Sequence, residues 1–175
     1  MWNETKNYKD LAHFETPYVV KVRAVAVCPL AAPRRRECHD PSQVHSAFQL
    51  AEAQPLFVFS HPNAESTPDN ERYKRLRFDV PLGGALHGFV GFFHSTLYKD
   101  IHISTEPHTL SEGMFSWFPL YVPLRHPALV PDGGTVEAHF WRHVSARRVW
   151  YEWALTQPVT SPIHNANGRS YHIGL

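Results

Sequence analysis

An apolar residue at every second position is the pattern that most restricts the fold of this chain. The pattern runs through Leu76–Val80, where charged residues fill the alternate positions, and returns in Val136–Val144 and Val149–Leu155. Successive side chains of a β-strand point to opposite faces, so a two-residue period predicts strands with one buried and one solvent-facing side. The short Ser145-Ala146 link between the last two segments predicts that they form a hairpin.

Further strand signals recur along most of the chain. They are Tyr18–Val22, Pro55–Ser60, Leu86–Phe93, Leu97–Ser104 and Trp117–Leu124. The fifteen prolines of the chain argue against long helices. The predicted fold class is therefore all-β, an antiparallel β-barrel or sandwich-like domain. We expect this domain over residues 18–175, with an N-terminal arm at residues 1–17 and one long irregular loop.

The charge balance limits the classes of partner that the chain can have. Its formal net charge is +1, whereas a dedicated nucleic-acid or membrane-surface binder usually carries a basic excess. The sequence also has no run of about 18 apolar residues, which a membrane-spanning helix would need. We therefore expect no direct contact with nucleic acid and no contact with a membrane.

Three patterns that could suggest other chemistry are weak. Thirteen histidines are present, but no pair sits at ligand spacing together with a carboxylate on one identifiable element, and Cys28 with Cys38 supplies only half of a zinc site. We therefore predict no metal. Asp100, His102 and Ser104 share one face of a strand but lack the strained turn that exposes a serine nucleophile. The G-x-G-x-x-G pattern of a dinucleotide-binding loop is absent.

A more specific signal comes from strings of rare, mostly Trp-containing residues. Their order along the chain is Gly113–Pro119, Pro123–Pro127, Phe140–Arg142, Val149–Ala154 and Ile163–Leu175. In this order they resemble the C-terminal domain of the protein arginine methyltransferase 5 family, the type II arginine methyltransferases. The resemblance covers most of residues 1–21 and 44–175.

The resemblance implies a larger enzyme of which this chain is one part. In the family, a Rossmann-type domain before the β-barrel binds S-adenosylmethionine and carries the catalytic glutamates. We therefore expect this chain alone to bind no cofactor, to hold no catalytic residue and to be inactive. The barrel carries a dimerisation arm, which corresponds by position to Tyr8, Lys9 and Asp10, so we expect a homo-oligomer.

The same resemblance implies the activity and partners of the complete enzyme. It would place monomethylarginine and symmetric dimethylarginine in arginine-rich protein substrates such as histones and spliceosomal proteins. It would act in the cytoplasm and the nucleus. A TIM-barrel domain upstream of the present residues would bind a WD-repeat partner.

Trp117 is the residue on which the family's substrate-stacking tryptophan falls. The substrate guanidinium is planar, always charged and weakly hydrated, and its cation–π contact with an indole contributes roughly 0.5–2 kcal/mol. The resemblance implies that Ser116 leaves room for the symmetric product and that Phe115 and Phe118 wall the slot. The alternative is that these aromatic residues are simply part of the barrel core.

Residues 22–43 do not fit the family pattern. They are rich in Ala, Arg and Pro, and their removal joins Lys21 to Val44-His45, which restores the family sequence. Valine codons begin with GT and one glutamine codon ends with AG, so our hypothesis is a short retained intron or an error in the gene structure. Amplification of the messenger RNA across this junction tests the hypothesis. If only the spliced product is found, the main protein lacks the segment. We expect it to form a surface loop, because a buried one would leave backbone groups unpaired.

Two other functions stay open on the sequence alone. The chain can be a non-catalytic interaction module that associates with the full-length enzyme. A carbohydrate-binding sandwich is the third reading, and it rests only on exposed aromatic residues. Met1 lies where the family has internal sequence, so we expect the chain to be a fragment.

Overall fold

The structure is a computed structural model that describes residues 18–27, 49–61, 70–113, 117 and 119–175. Short 3₁₀ turns cover Pro107–Thr109 and Ala166–Gly168. The strands are β1 (Tyr18–Val27), β2 (Gln54–His61), β3 (Arg72–Val80), β4 (Gly84–Tyr98), β5 (Ile101–Ser104), β6 (Leu120–Val130), β7 (Gly134–Val144), β8 (Arg148–Gln157) and β9 (Ile173–Gly174). This part of the chain contains no helix long and apolar enough to cross a membrane.

The strands form two antiparallel sheets. The first sheet has the order β2-β1-β4, and both β5 and β6 pair with β4. The second sheet has the order β3-β7-β8-β9. Within the described ranges, no strand of one sheet pairs with a strand of the other. The predicted all-β, antiparallel, sandwich-like fold is confirmed.

One apolar core lies between the two sheets. Its buried members are Leu56, Phe57, Leu76, Phe78, Val80, Leu86, Phe89, Leu124, Ala128, Val130, Val136, Ala138, Phe140 and Leu155. They come from both sheets, and in β3 and β7 they occupy every second position, as the sequence pattern predicted. The centre is a row of three rings, in which Phe89 lies 5.8 Å from Phe78 and 5.2 Å from Phe140.

Strand β6 contains two prolines and is irregular for that reason. Its register against β4 shifts between the pairs Leu86↔Ala128 and Gly88↔Pro123. Four residues of β6, including Pro127, therefore lie opposite His87 alone. Proline cannot donate a ladder hydrogen bond, so it is tolerated at edges and bulges. β6 is an edge strand, because in the described ranges it pairs only with β4. The register shift supplies the bulge.

Three sequence-based boundaries differ from the structure. The predicted strand Leu97–Ser104 is instead the end of β4, a turn in which Lys99 has a φ of 51°, and β5. Strand β6 begins at Leu120, so Trp117 precedes it. Strand β1 continues to Val27 and pairs with β4 as far as that residue.

The surface loop predicted for residues 22–43 therefore does not begin at residue 22. Residues 22–27 read Val-Arg-Ala-Val-Ala-Val, and β-branched residues of this kind favour a strand. Residues 28–48 lie outside the described ranges, as do residues 1–17 of the predicted arm. The intron hypothesis and the domain bounds stay predictions.

Candidate substrate-side site

Strand β4 changes its partner along one edge, and the candidate site lies at that change. β6 pairs with Gly84–Gly91 and β5 pairs with His94–Tyr98, while β1 runs along the opposite edge. Phe92 and Phe93 lie between the two stretches. The backbone of Phe93 on this edge therefore receives no ladder hydrogen bonds from β5 or β6.

The last residue of β5 and the residue that follows it supply the missing hydrogen bonds. Thr105 Oγ1 accepts a hydrogen bond from the backbone N–H of Phe93 at 3.1 Å, and the backbone N–H of Thr105 donates to the Phe93 carbonyl at 2.9 Å. The Ser104 hydroxyl donates to the same carbonyl at 3.2 Å. Ser104 is 0% exposed and Thr105 is 2% exposed. The backbone of Phe93 is thus fixed by hydrogen bonds that are shielded from water.

Trp117 packs against the ring of this same Phe93. The ring centroids are 5.2 Å apart and the ring planes are inclined by 55°. At the same time 54% of the Trp117 surface remains exposed. Its indole is therefore neither a core residue, as the alternative reading held, nor free of contacts. It is an exposed aromatic surface with a fixed support.

The other residues predicted for the substrate slot are not described. Phe115, Ser116 and Phe118 lie outside the described ranges, and so do Tyr8, Lys9 and Asp10 of the predicted dimer arm. Their assigned roles stay predictions. The structure brings Trp117 together with Phe93, which the sequence reasoning had not singled out.

A second polar cluster, also missed in the sequence, lies on the second sheet. The Thr156 hydroxyl donates to Glu137 Oε1 at 2.6 Å, and Thr156 Oγ1 lies 3.2 Å from His139 Nε2. His139 Nδ1 lies 2.8 Å from the Tyr73 hydroxyl. Since the Thr156 proton is used on the carboxylate, Nε2 donates to Thr156 and Nδ1 accepts from Tyr73. This chain of hydrogen bonds ties β3, β7 and β8 together.

We expect this cluster to make part of the stability depend on pH. The hydrogen bond from Thr156 lowers the pKa of the Glu137 carboxyl, and Arg75 and His139 act in the same direction. A lowered pKa in the folded state adds stability above the ordinary pKa of glutamate, and this stability is lost as pH falls through the folded value. Replacing Thr156 by valine should raise the pKa of Glu137 in an NMR titration of the side-chain carboxyl. An unchanged titration would contradict the assignment.

The weaker sequence patterns gain no support as active sites. Ser104 is fully buried and bonded to backbone groups, so it cannot serve as a nucleophile with His102. In the part of the chain that the structure describes, no group of three or more His, Cys, Asp or Glu residues is arranged to hold a metal ion. Cys28 and Cys38 lie outside that part.

A groove of about 460 Å³ lies where the C-terminal segment returns to the second sheet. The His164 ring stacks on Trp153 at 5.6 Å, with the planes inclined by only 7°. His164 Nε2 accepts a hydrogen bond from the backbone N–H of Arg125, and Nδ1 donates to the Trp153 carbonyl. These bonds require the neutral imidazole and account for a structural role of His164.

The comparison with protein families decides what the chain is. The family described as the PRMT5 oligomerisation domain matches residues 1–173. The chain belongs to the PRMT5 oligomerisation domain family. The resemblance drawn from the Trp-containing strings is thereby confirmed.

Curated relatives of this PRMT5 oligomerisation domain agree with the assignment. Protein arginine N-methyltransferase 5 of Oryza sativa subsp. japonica is 46% identical over 176 residues, which cover 99% of this chain and 24% of the rice protein. The Xenopus laevis protein of the same name is 43% identical over 94% of the chain and 22% of its own length. Protein arginine N-methyltransferase skb1 of Schizosaccharomyces pombe is 33% identical over 98% and 28%. The chain thus spans about a quarter of their length.

The fold is shared with a more distant methyltransferase. A Trypanosoma brucei PRMT1 enzyme-prozyme heterotetrameric complex with AdoHcy matches with a TM-score of 0.59 and 9% sequence identity. The match covers 90% of this chain and 58% of the other. At this identity the likeness concerns the fold alone.

Proposed function

We propose that this chain is the substrate-side module of a type II protein arginine methyltransferase. The complete enzyme would transfer methyl groups from S-adenosylmethionine to protein arginine and form monomethylarginine and symmetric dimethylarginine. One observation carries the proposal: Trp117 is exposed over 54% of its surface, yet its indole is held against Phe93. An indole presented in this way suits a planar cation.

The contribution of the chain is to bind and orient the guanidinium. Arginine is weakly hydrated for a cation, so it gives up water readily to stack on an aromatic face. A support that limits the motion of the indole keeps the target nitrogen in line with the methyl donor, which is an orientation effect. Phe115 and Phe118 would wall the slot, and Ser116 would leave space for the symmetric product.

The methyl donor is expected to bind upstream of this chain. Among the described residues, Phe93 next to Trp117 is apolar, and the buried hydroxyls of Ser104 and Thr105 are already bonded to the backbone of Phe93, so these residues do not fit the donor. S-adenosylmethionine would supply the methyl group from the upstream domain. No step of the transfer is assigned to a residue of this chain beyond binding the substrate.

We propose in addition that the module contributes dimer contacts. The family description names oligomerisation, and Tyr8, Lys9 and Asp10 would belong to the dimer arm. Substrates with arginine-rich tails, such as histones and spliceosomal proteins, would reach the site through the parent enzyme. A WD-repeat partner would bind through an upstream domain, and the enzyme would act in cytoplasm and nucleus.

A second candidate function is a non-catalytic module that associates with the full-length enzyme. The observation that favours it is the match of residues 1–173 to an oligomerisation domain. In this case the module would occupy the partner's dimer surface. Added chain would then lower the activity of the full-length enzyme.

A chimeric enzyme tests the two functions. This chain replaces the C-terminal region of the rice relative, and products on an arginine-rich peptide are identified by mass spectrometry. We expect the chimera to form both monomethylarginine and symmetric dimethylarginine, because the module would restore the substrate side of the cleft. The upstream part alone and the isolated chain serve as controls, and both should be inactive.

Two outcomes would count against the proposal. A chimera that binds S-adenosylmethionine normally but transfers no methyl group would contradict the substrate-side role. Asymmetric dimethylarginine as the product would contradict the type II assignment. Inhibition of the intact rice enzyme by the added chain, together with an inactive chimera, would instead support the non-catalytic module.

A further inference from the structure

We propose that Thr105 is a positioning residue for Trp117 and acts through the backbone of Phe93. The inference rests on the proposed function of Trp117 as the substrate-stacking residue. Thr105 itself is 2% exposed and does not touch substrate. Its effect on the reaction would be transmitted by the ring contact between Phe93 and Trp117.

Phe93 lies at a gap in the strand pairing of β4. It lies at the one place on this edge of β4 where β6 has ended at Gly91 and β5 begins only at His94. A strand at such a gap has a free N–H and a free carbonyl, and both are costly to bury without partners. Thr105 bonds to both groups of Phe93, its Oγ1 to the N–H at 3.1 Å and its own N–H to the carbonyl at 2.9 Å.

Hydroxyl groups on both sides of Thr105 in the sequence hold it in place. Ser104 Oγ lies 2.8 Å from Thr109 Oγ1 and accepts the N–H of Glu106 at 3.1 Å. Ser111 Oγ accepts the N–H of Ser104 at 3.1 Å, and the N–H of Ser111 donates to the Ser104 carbonyl at 3.0 Å. This closed turn holds both ends of the segment 104–111.

The two parts of the site meet at Phe93. Its backbone is bonded to Thr105, and its ring lies 5.2 Å from the indole of Trp117. Loss of a bond from Thr105 would shift Phe93 and with it the ring against which the indole packs. Thr105 is therefore placed to set the angle at which the indole meets a guanidinium.

Substitutions at Thr105 separate positioning from simple stability. Thr105→Val keeps the shape of the side chain and removes the acceptor for the Phe93 N–H, whereas Thr105→Ser keeps the hydroxyl. Ser161→Ala is the matched control, because Ser161 Oγ accepts the N–H of Leu155 at 2.8 Å in the second sheet. Each variant is made in this chain and in the chimera.

The first readout is the ¹⁹F NMR spectrum of the chain labelled with 5-fluorotryptophan. Its five tryptophans give five signals, and Trp117→Phe identifies the signal of Trp117. We expect Thr105→Val to shift or broaden that signal while the other signals keep their positions. Thr105→Ser should restore the signal, and Ser161→Ala should leave it unchanged.

The second readout is steady-state methylation by the chimera. Misalignment of the indole should lower kcat/KM by roughly threefold to tenfold in Thr105→Val, since small displacements of a bound substrate slow a reaction that depends on orientation. Thr105→Ser should recover most of it. If Thr105→Val does not fold, Thr105→Ala replaces it, because alanine also removes the acceptor for the Phe93 N–H.

The outcomes distinguish this inference from the proposed function. An unchanged Trp117 signal in a folded Thr105→Val or Thr105→Ala chain overturns the positioning role, whatever the activity of Trp117 variants. A shifted Trp117 signal with normal kcat/KM also overturns it. If only the proposed role of Trp117 in substrate binding is wrong, the Trp117→Ala chimera should keep full activity. Thr105→Val should then still shift or broaden the Trp117 signal in the ¹⁹F spectrum.

Discussion

Replacing Trp117 by alanine is expected to lower kcat/KM of the chimera for an arginine peptide by about 2- to 30-fold, which corresponds to the roughly 0.5–2 kcal/mol of a cation–π contact. The effect should lie mainly in KM, because the stack holds the guanidinium in the ground state as well as in the transition state. Trp117→Phe should retain part of the affinity, since a smaller aromatic face remains. Steady-state kinetics with a single-arginine peptide measures both variants.

A matched variant controls for the general loss of a tryptophan side chain. Trp141 lies on the second sheet, where its ring stacks on Tyr73 at 5.5 Å and on His139 at 5.8 Å. Trp141→Ala should leave kcat/KM within about twofold of the parent, because the described ring contacts of Trp141 are to Tyr73 and His139 on the second sheet, whereas Phe93 lies in the first. Equal losses in the two variants would argue against a specific role of Trp117.

Replacing Phe89 by alanine is expected to destabilise the module by about 3–5 kcal/mol, the range observed when a buried phenylalanine is truncated. Phe89 is 1% exposed and is the middle ring of the row that joins the two sheets. Its loss would leave a cavity between Phe78 and Phe140. Urea unfolding of the isolated chain, followed by tryptophan fluorescence, gives the change in the free energy of unfolding.

The control for this prediction is an apolar residue outside the core. Leu129 is 80% exposed, and Leu129→Ala should change the free energy of unfolding by no more than about 0.5 kcal/mol. A Phe89→Ala variant that loses less than about 1 kcal/mol would mean that the two sheets do not pack as described. The core would then have to be reassigned.

The strands that were predicted well from the sequence are those with one buried and one solvent-facing side. In β3 and β7 the two-residue period reports burial directly, because only one side of each strand meets the core. Leu76, Phe78 and Val80 are all buried, with charged residues between them. The prediction succeeded here because the signal is local and needs no knowledge of the partner strand.

Strand β4 was harder to predict because both of its faces are covered. Leu86 and Phe89 join the main core, while Val90 and Phe92 form a second cluster against Ala53. Apolar residues on both faces remove the period that would mark the ends of the strand. Its extension to Tyr98 and the turn at Lys99 follow from pairing with β5, which is not a local property.

The candidate site was also predicted only in part from the sequence. Trp117 was found from the strings around it, which carry the family resemblance, and not from periodicity. Its support was missed because Phe93 and Thr105 are joined by backbone hydrogen bonds at a gap between two partner strands. A serine-threonine pair at the end of a strand is too common a signal to identify such a gap, and only the pairing register reveals it.

The most direct test of the account is the structure of the chimera with an arginine peptide and S-adenosylhomocysteine bound. The substrate guanidinium should lie within about 6 Å of the Trp117 ring centroid, the range of a cation–π contact. The indole should keep its contact with Phe93. A guanidinium bound against a different surface, with Trp117 facing solvent, would contradict the central claim.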